Sequence, residues 1–294
     1  MAGKGKYYES QFEEATIELL RESHWQYTFG DDIHRKYTDP LIEEDLRTFL
    51  AAQYKDKRLA ASEVDGIVAN LRNTGGQNDY YALQNTFLLY RDGYDFTYSD
   101  GRENPFRLKY IDFEHPDHNI FRCVNQFVME QGRENRRPDI LLFVNCKPVG
   151  IDELKNPTKQ NATIRDAHTQ ICTRYMRDIP ALLKYCALAV ISDGAKNELG
   201  TTCTPFEFFY EWKKNDNEDK ASKGLDTLRT LVRGALSPER ILVILRDYVY
   251  FPDPSKEDDT TEIVCRYPQF FATRKLRDHI LTHLRSVGGD GKGG

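Results

Sequence analysis

The sequence predicts an α/β domain in which helices flank a mixed β-sheet. Apolar residues recur at helical spacing over the first 90 residues and then alternate with a period of two. The 294 residues, 39% of them hydrophobic, are enough for one large domain with a sizeable core. We expect a helical part at 1–90, a core sheet at 91–214 and a helical linker at 215–294.

Helices are expected at both ends of the chain. The first runs from Tyr8 to His24, and three more begin at Asp39, Ala60 and Asn78, each with apolar residues on one face. Beyond the sheet, the expected helices span 225–236, 238–248 and 267–284. Extra helical segments should therefore flank the core sheet on both sides in the sequence.

The central region predicts strands and one crossover helix. The expected strands cover 94–98, 108–113, 121–129, 141–144, 149–155, 187–192 and 206–212. The turn from Asn145 to Pro148 makes a hairpin of the fourth and fifth strands. A helix over 161–177, stopped before Pro180, connects the hairpin to the next strand. In the last strand, Phe206, Phe208 and Tyr210 are expected to face the core.

Charge and composition limit the classes of function. The net charge of −5 argues against a surface coated in positive charge for nucleic acid. No apolar run approaches the ~20 residues of a membrane helix, and the first residues lack the apolar region of a secretory signal. We therefore expect a cytoplasmic protein with no membrane association. The six cysteines are scattered without a C-x-x-C pair, which favours reduced, buried thiols.

The hairpin carries the most informative side chains. Asp139 precedes its first strand, while Glu153 and Lys155 lie two apart on the second and so share one face. Two carboxylates suit a hard divalent cation such as Mg²⁺, and the backbone carbonyl of Leu154 is a natural third ligand. The lysine can orient a water molecule or stabilise charge on a phosphate. Taken alone, Glu-x-Lys is also common as a solvent-facing salt bridge.

The segments from Asn135 to Ile140 and from Asp152 to Pro157 resemble the PD-(D/E)xK nuclease superfamily. More narrowly, they are similar to the N-terminal nuclease domain of the R (motor) subunit of type I restriction enzymes. The resemblance implies that Asp139 and Glu153 bind Mg²⁺, with Mn²⁺ as an alternative, and that Lys155 is catalytic.

The same resemblance extends to the crossover helix. It implies catalytic-site roles for Gln170 and Tyr175, although four residues separate them here where the family usually has three. On an α-helix the extra residue turns the pair by about 100° relative to the usual spacing. Asp152 stands where the family usually has an apolar residue, and should point to the opposite face and need a partner there. Glu13 resembles a glutamate near the metal, with Glu9 and Glu14 as competitors.

The end of the chain resembles the region before the helicase motor in these subunits. The segment from Arg266 to Ala272 and the glycine-rich run from Gly288 to Gly294 carry this similarity. No G-x-x-x-x-G-K-[ST] sequence occurs. We expect an N-terminal fragment of a longer chain, with ATP needed only by the missing motor.

The resemblance predicts an endonuclease that cuts double-stranded DNA without sequence specificity of its own. Its expected partners are the methyltransferase and specificity subunits of the restriction complex, and SAM serves that assembly and not this fragment. Two alternatives remain: a standalone repair or junction nuclease of the same superfamily, and a catalytically inert module that docks onto a DNA motor. The histidines, including His279 and His283 on the last helix, give no catalytic pattern.

Overall fold

A computed structural model describes residues 4–101, 104–155, 163–215, 220, 224–252 and 261–285. Helices precede the central sheet, cross over it once and follow it. They are α1 (Lys4–Glu22), α2 (Glu43–Gln53), α3 (Ala61–Asn73), α4 (Asp79–Asp92), α5 (Ile164–Thr169), α6 (Met176–Asp178), α7 (Pro180–Leu183), α8 (Leu225–Leu231), α9 (Pro238–Asp247) and α10 (Tyr267–Arg285). A π-helical turn, Gln170–Tyr175, joins α5 to α6, and another, Val232–Leu236, follows α8.

The strands form a mixed sheet with small two-stranded ribbons around it. They are β1 (Gln26–Phe29), β2 (Tyr94–Phe96), β3 (Phe106–Leu108), β4 (Phe121–Asn125), β5 (Met129–Gln131), β6 (Glu134–Arg136), β7 (Ile140–Val144), β8 (Lys147–Leu154), β9 (Leu188–Ser192), β10 (Asn197–Gly200), β11 (Tyr210–Glu211), β12 (Val249–Tyr250) and β13 (Ile263–Val264). In the described ranges, the central sheet has seven strands in the order β1-β4-β7-β8-β9-β10-β11.

The predicted hairpin forms the middle of this sheet. β7 and β8 pair antiparallel, with Ile140 opposite Asp152. Asn145 adopts the left-handed conformation that the tight turn needs, with φ 57°. β8 then pairs parallel with β9, so that Glu153 lies opposite Ile191, and the intervening helices make the crossover. The α/β fold with a mixed sheet flanked by helices is confirmed.

Apolar layers cover both faces of the sheet. Leu141 and Phe143 pack towards the crossover helix, whereas Leu142 and Val144 pack towards the helices that precede and follow the sheet. Because both faces are buried, β7 reads as a continuous apolar run instead of an alternating one.

The prediction of a strand over 206–212 was wrong for its first half. Phe206–Phe208 form a 3₁₀ turn, in which the amide of Phe208 donates to the carbonyl of Pro205 at 3.0 Å, and only Tyr210–Glu211 are strand. Phe209 is buried instead, while Phe208 is 55% exposed. The proline favours a turn here because its ring fixes φ, which overrides the alternating pattern.

The predicted strand over 121–129 is also interrupted. Gln126 adopts a left-handed conformation, with φ 55°, and the chain leaves the central sheet after Asn125. The four N-terminal helices and the three C-terminal ones form close to their predicted positions. The predicted start of the crossover helix at 161–162 and the glycine-rich run at 288–294 lie outside the described residues.

All six cysteines are free, and Cys123, Cys146 and Cys186 are buried. None of the helices in the described ranges combines the length and apolar character needed to span a membrane. The hydrophobic core takes residues from 1–90, 91–214 and 215–294 alike, and β1 of the first part joins the central sheet. The division of the chain into three parts stays a prediction.

Candidate active site

Asp139 lies at the entrance to β7 and is held from two sides. Its Oδ2 accepts a hydrogen bond from the amide of Leu154 at 2.8 Å, across the hairpin. Its own carbonyl accepts from the amide of Gln126 at 3.2 Å, which fixes the backbone where β4 ends. Pro138 directly before it is buried. The carboxylate of Asp139 is therefore anchored beside the end of β8, as the hairpin predicted.

Glu153 and Lys155 face the same side of the sheet. The side chain of Glu153 is only 1% exposed, and the Lys155 Nζ donates to its Oε1 at 2.7 Å. The amide of Lys155 donates to the carbonyl of Ser192, so the chain keeps its place beside β9 after β8 ends. The structure thus joins the two residues in a largely buried ion pair, not a solvent-facing one.

Gln170 and Tyr175 complete a closed ring of hydrogen bonds. The Oε1 of Gln170 accepts from the Lys155 Nζ at 2.7 Å, and its Nε2 donates to the Tyr175 hydroxyl at 2.7 Å. That hydroxyl donates in turn to Oε2 of Glu153 at 3.1 Å. The ring runs from lysine to glutamate, tyrosine, glutamine and back.

The π-helical turn explains how a pair at the unusual spacing still meets. The two residues are its first and last members, Gln170–Tyr175. In a π turn each amide bonds to the carbonyl five residues earlier, which brings residues five apart to one side. The expected displacement of Tyr175 by about 100° assumed an uninterrupted α-helix and was wrong.

Burial and crowding of negative charge dominate the electrostatics. Burial raises the pKa of Glu153 to about 7, although Lys155 and the Tyr175 hydroxyl act to lower it. Burial and the neighbouring Glu153 raise the pKa of Asp139 well above its usual range. Burial and the charge of Glu153 also raise the pKa of Tyr175. The site therefore contains more carboxylate charge than its lysine balances.

Asp152 lies on the other face of β8, as predicted, but lacks the predicted partner. Its neighbours Ile151 and Leu154 pack in different core layers, which separates the two faces of the strand. Its side chain is buried, and its Oδ1 has no hydrogen-bond partner among the described residues. Burial, followed by the charges of Asp139 and Glu13, raises its pKa well above the usual range.

Glu13 of α1 is directed towards the end of β4. Its Oε1 accepts from the Asn125 Nδ2 at 2.8 Å and from the Gln126 Nε2 at 2.9 Å. It lines a cavity of about 530 Å³ and contributes to the raised pKa of Asp139. Glu14 is exposed, and the side chain of Glu9 lies outside the described ones.

Asn125 and Gln126 were not predicted as parts of this site. They hold Glu13 and, through the Gln126 amide, the carbonyl of Asp139. The sequence offered one weak signal: Asn125 and Gln126 interrupt an otherwise apolar run between Cys123 and Met129.

The fold and this cluster together define the class as a nuclease-like α/β core. Residues 6–208 match the family model described as the type I restriction enzyme R protein N terminus. The chain therefore belongs to the family of type I restriction enzyme R proteins, as the sequence resemblance indicated.

Two curated relatives match nearly the whole chain. The type I restriction enzyme HindI endonuclease subunit of Haemophilus influenzae is 29% identical over 285 residues, covering 93% of this chain and 27% of the relative. The "Putative type I restriction enzyme MjaIXP endonuclease subunit" of Methanocaldococcus jannaschii is 30% identical over 293 residues, covering 92% and 27%. The chain thus spans about a quarter of the length of these relatives.

Proposed function

We propose that this chain is the endonuclease region of a type I restriction enzyme R subunit. It hydrolyses phosphodiester bonds of double-stranded DNA and requires Mg²⁺, with Mn²⁺ as an alternative. The observation that carries the proposal is the buried cluster of Asp139, Glu153, Lys155, Gln170 and Tyr175 at the end of the hairpin. The names of the two relatives support it.

The donor set fits a hard divalent cation. Burial is the main cause that raises the pKa of both Asp139 and Glu153, and Glu153 adds to the effect on Asp139. A cation between the two carboxyls would favour their charged forms. Among the described residues, Oδ1 of Asp139 accepts no hydrogen bond, which leaves an oxygen for a ligand role. Mg²⁺ takes oxygen ligands and few of them from protein. The Leu154 carbonyl and Glu13 are the further proposed ligands.

When bound, Mg²⁺ would neutralise charge on the scissile phosphate and make a water molecule more acidic. The chain's own contribution centres on Lys155. An ammonium has three N–H donors, and two are used by Glu153 and Gln170. The third is available to donate to a phosphate oxygen or to hold the attacking water.

Gln170 and Tyr175 position the catalytic groups. Each of them bonds to the other and to one member of the Glu153–Lys155 pair. Gln170 and Tyr175 thereby fix both ends of the largely buried pair without contributing charge. Fixed, desolvated hydrogen bonds are the arrangement that stabilises developing charge most effectively.

DNA is proposed to approach across exposed arginines around this site. Arg133, Arg137, Arg165 and Arg174 are exposed on the segments next to the cluster, whereas Arg136 is paired with Asp178 at 2.7 Å. Such side chains contact phosphates and carry no sequence information. Sequence recognition would then belong to the specificity subunit, with the methyltransferase subunit as a further partner.

The same proposal places the protein in the cytoplasm, where the restriction complex meets DNA. ATP would be used by a motor region outside this chain, in line with the share of the relatives that the chain covers.

The test is cleavage by an assembled complex that carries Lys155→Ala or Asp139→Asn. Cleavage of duplex DNA should fall by at least about 100-fold, while ATP-driven translocation is unchanged. The matched control is Lys213→Ala, because Glu211 and Lys213 form the same Glu-x-Lys pair at 2.7 Å but with Lys213 44% exposed. Full cleavage by Lys155→Ala, or equal loss with Lys213→Ala, would refute the assignment.

A further inference from the structure

The loop between β3 and β4 brings one carboxylate and two imidazoles together. We call Asp112, His115 and His118 the Asp–His cluster. The Nδ1 of His118 lies 2.9 Å from Oδ2 of Asp112, and the Nδ1 of His115 lies 3.4 Å from the same oxygen. The imidazole rings stack with centroids 4.9 Å apart. One ligand atom from each residue falls within 4.8 Å of the others.

The backbone of the loop holds the carboxylate in place. Oδ1 of Asp112 accepts from the amides of Glu114 and His115, each at 3.0 Å. The side chain of Asn119 bonds to both the amide and the carbonyl of Asp112, at 2.9 and 2.7 Å. The Asp112 side chain is only 8% exposed, whereas those of His115 and His118 are 63% and 53% exposed. The cluster is therefore fixed at its base and open to solvent at its rim.

The two separations from the Asp112 carboxylate are close to the edges of a tetrahedral metal site. Nitrogen and oxygen ligands lie about 2.0–2.2 Å from Zn²⁺, which places neighbouring ligand atoms about 3.3–3.6 Å apart. The His115 nitrogen, 3.4 Å from Oδ2 of Asp112, lies within that range, and the His118 nitrogen, at 2.9 Å, is a few tenths of an ångström short of it. Small side-chain rotations would therefore admit an ion, with water in the fourth position.

More nitrogen atoms surround Oδ2 of Asp112 than hydrogen bonding to this oxygen readily explains. Besides the two imidazoles, the Gln53 Nε2 approaches Oδ2 of Asp112 at 3.1 Å. Three nitrogen atoms thus converge on one oxygen that has two lone pairs. A cation shared by the two imidazoles and the carboxylate would satisfy all three residues without requiring a proton between each pair.

The cluster is separate from the carboxylate–lysine site. The cluster comes shortly before Phe121, the first residue of β4, which pairs with Val144 at the end of β7. Asp139 lies at the opposite end of β7, next to Ile140. The four residue steps between these ends correspond to about 13 Å along the strand. One ion cannot bridge the two sites.

We propose that the Asp–His cluster binds Zn²⁺. Imidazole and carboxylate ligands favour zinc and its neighbours in the transition series over Mg²⁺. The ion would join the start of the loop before β4, at Asp112, to its middle, at His115 and His118. The hydrogen bond from Gln53 to Asp112 connects this loop to α2. This site does not depend on the nuclease proposal.

The test is a Zn²⁺ titration of the 294-residue chain against a chromophoric chelator. His279 and His283 need to be removed first, because their rings lie 4.2 Å apart on exposed α10 and can hold zinc themselves. In the His279→Gln/His283→Gln/Asp139→Asn background, which also weakens the cation site proposed at the hairpin, we expect one equivalent of bound zinc. Adding His115→Gln/His118→Gln should weaken binding by at least about tenfold.

Thermal unfolding checks that the histidine variant still folds. Without zinc, the background and the His115→Gln/His118→Gln protein should unfold at the same temperature, and zinc should raise it only in the background. Tetrahedral Co²⁺ absorption that requires both histidines would be a second signature. Zinc affinity that survives loss of both histidines, or no binding in the background protein, would overturn the proposal.

Discussion

Loss of the proton from Glu153 should make the metal-free protein less stable as the pH rises. Burial raises the pKa of this carboxyl from 4.5 to about 7. Between these values the folded state keeps a proton that the unfolded state has lost, so stability falls as the pH increases through that window. From pH 5 to pH 8 this linkage corresponds to about 2–3 kcal/mol. A divalent cation at the site would offset the loss.

The substitution Glu153→Gln isolates this contribution. Glutamine keeps the shape but cannot ionise, and its loss of hydrogen bonds to Lys155 and Tyr175 is the same at both pH values. Urea unfolding in a chelator at pH 5 and pH 8 gives the free energy of unfolding of each protein. The parent should lose about 2–3 kcal/mol more than the variant between these pH values.

Asp139 responds in the same direction, because Glu153 contributes to its raised pKa. Relief of Asp139 in the variant therefore adds to the difference and cannot cancel it. If the free energy of unfolding of the two proteins depends equally on pH, Glu153 does not keep its proton in the folded state. The reasoning from its raised pKa would then be wrong.

Four further outcomes are expected. Mg²⁺ affinity measured by calorimetry should fall about tenfold from pH 8 to pH 6, because Glu153 must lose its proton to bind. Tyr175→Phe should cost about 1–3 kcal/mol in urea unfolding, since it leaves buried groups without a partner. Asp152→Asn should be more favourable to stability at pH 8 than at pH 5 in urea unfolding, because burial raises the pKa of this carboxyl and the amide has no charge to acquire. Phe209→Ala should cost about 3–5 kcal/mol, and the exposed Phe208→Ala less than about 0.5 kcal/mol, by thermal unfolding.

The hairpin was predictable because its signals are local. Apolar runs, a turn sequence and the period of two place Asp139 and Glu153 without reference to the rest of the chain. The hydrogen bond between Glu13 and Gln126 was not predictable, because it depends on where α1 packs and on the left-handed turn after β4. The strand predicted through Phe208 failed for a different reason: Phe206–Phe208 form a 3₁₀ turn after Pro205, and the alternation of apolar residues does not distinguish that turn from a strand.

The π turn shows how spacing in the sequence and position in space can separate. On an α-helix, residues five apart point about 140° away from each other. Gln170 and Tyr175 nevertheless bond at 2.7 Å because the extra residue is absorbed within the turn itself. The turn starts and ends on the two residues that hold Lys155 and Glu153, so its geometry determines whether the ring closes. A sequence comparison that aligned these residues by α-helical spacing would discard the tyrosine, although its hydroxyl contacts the glutamate directly.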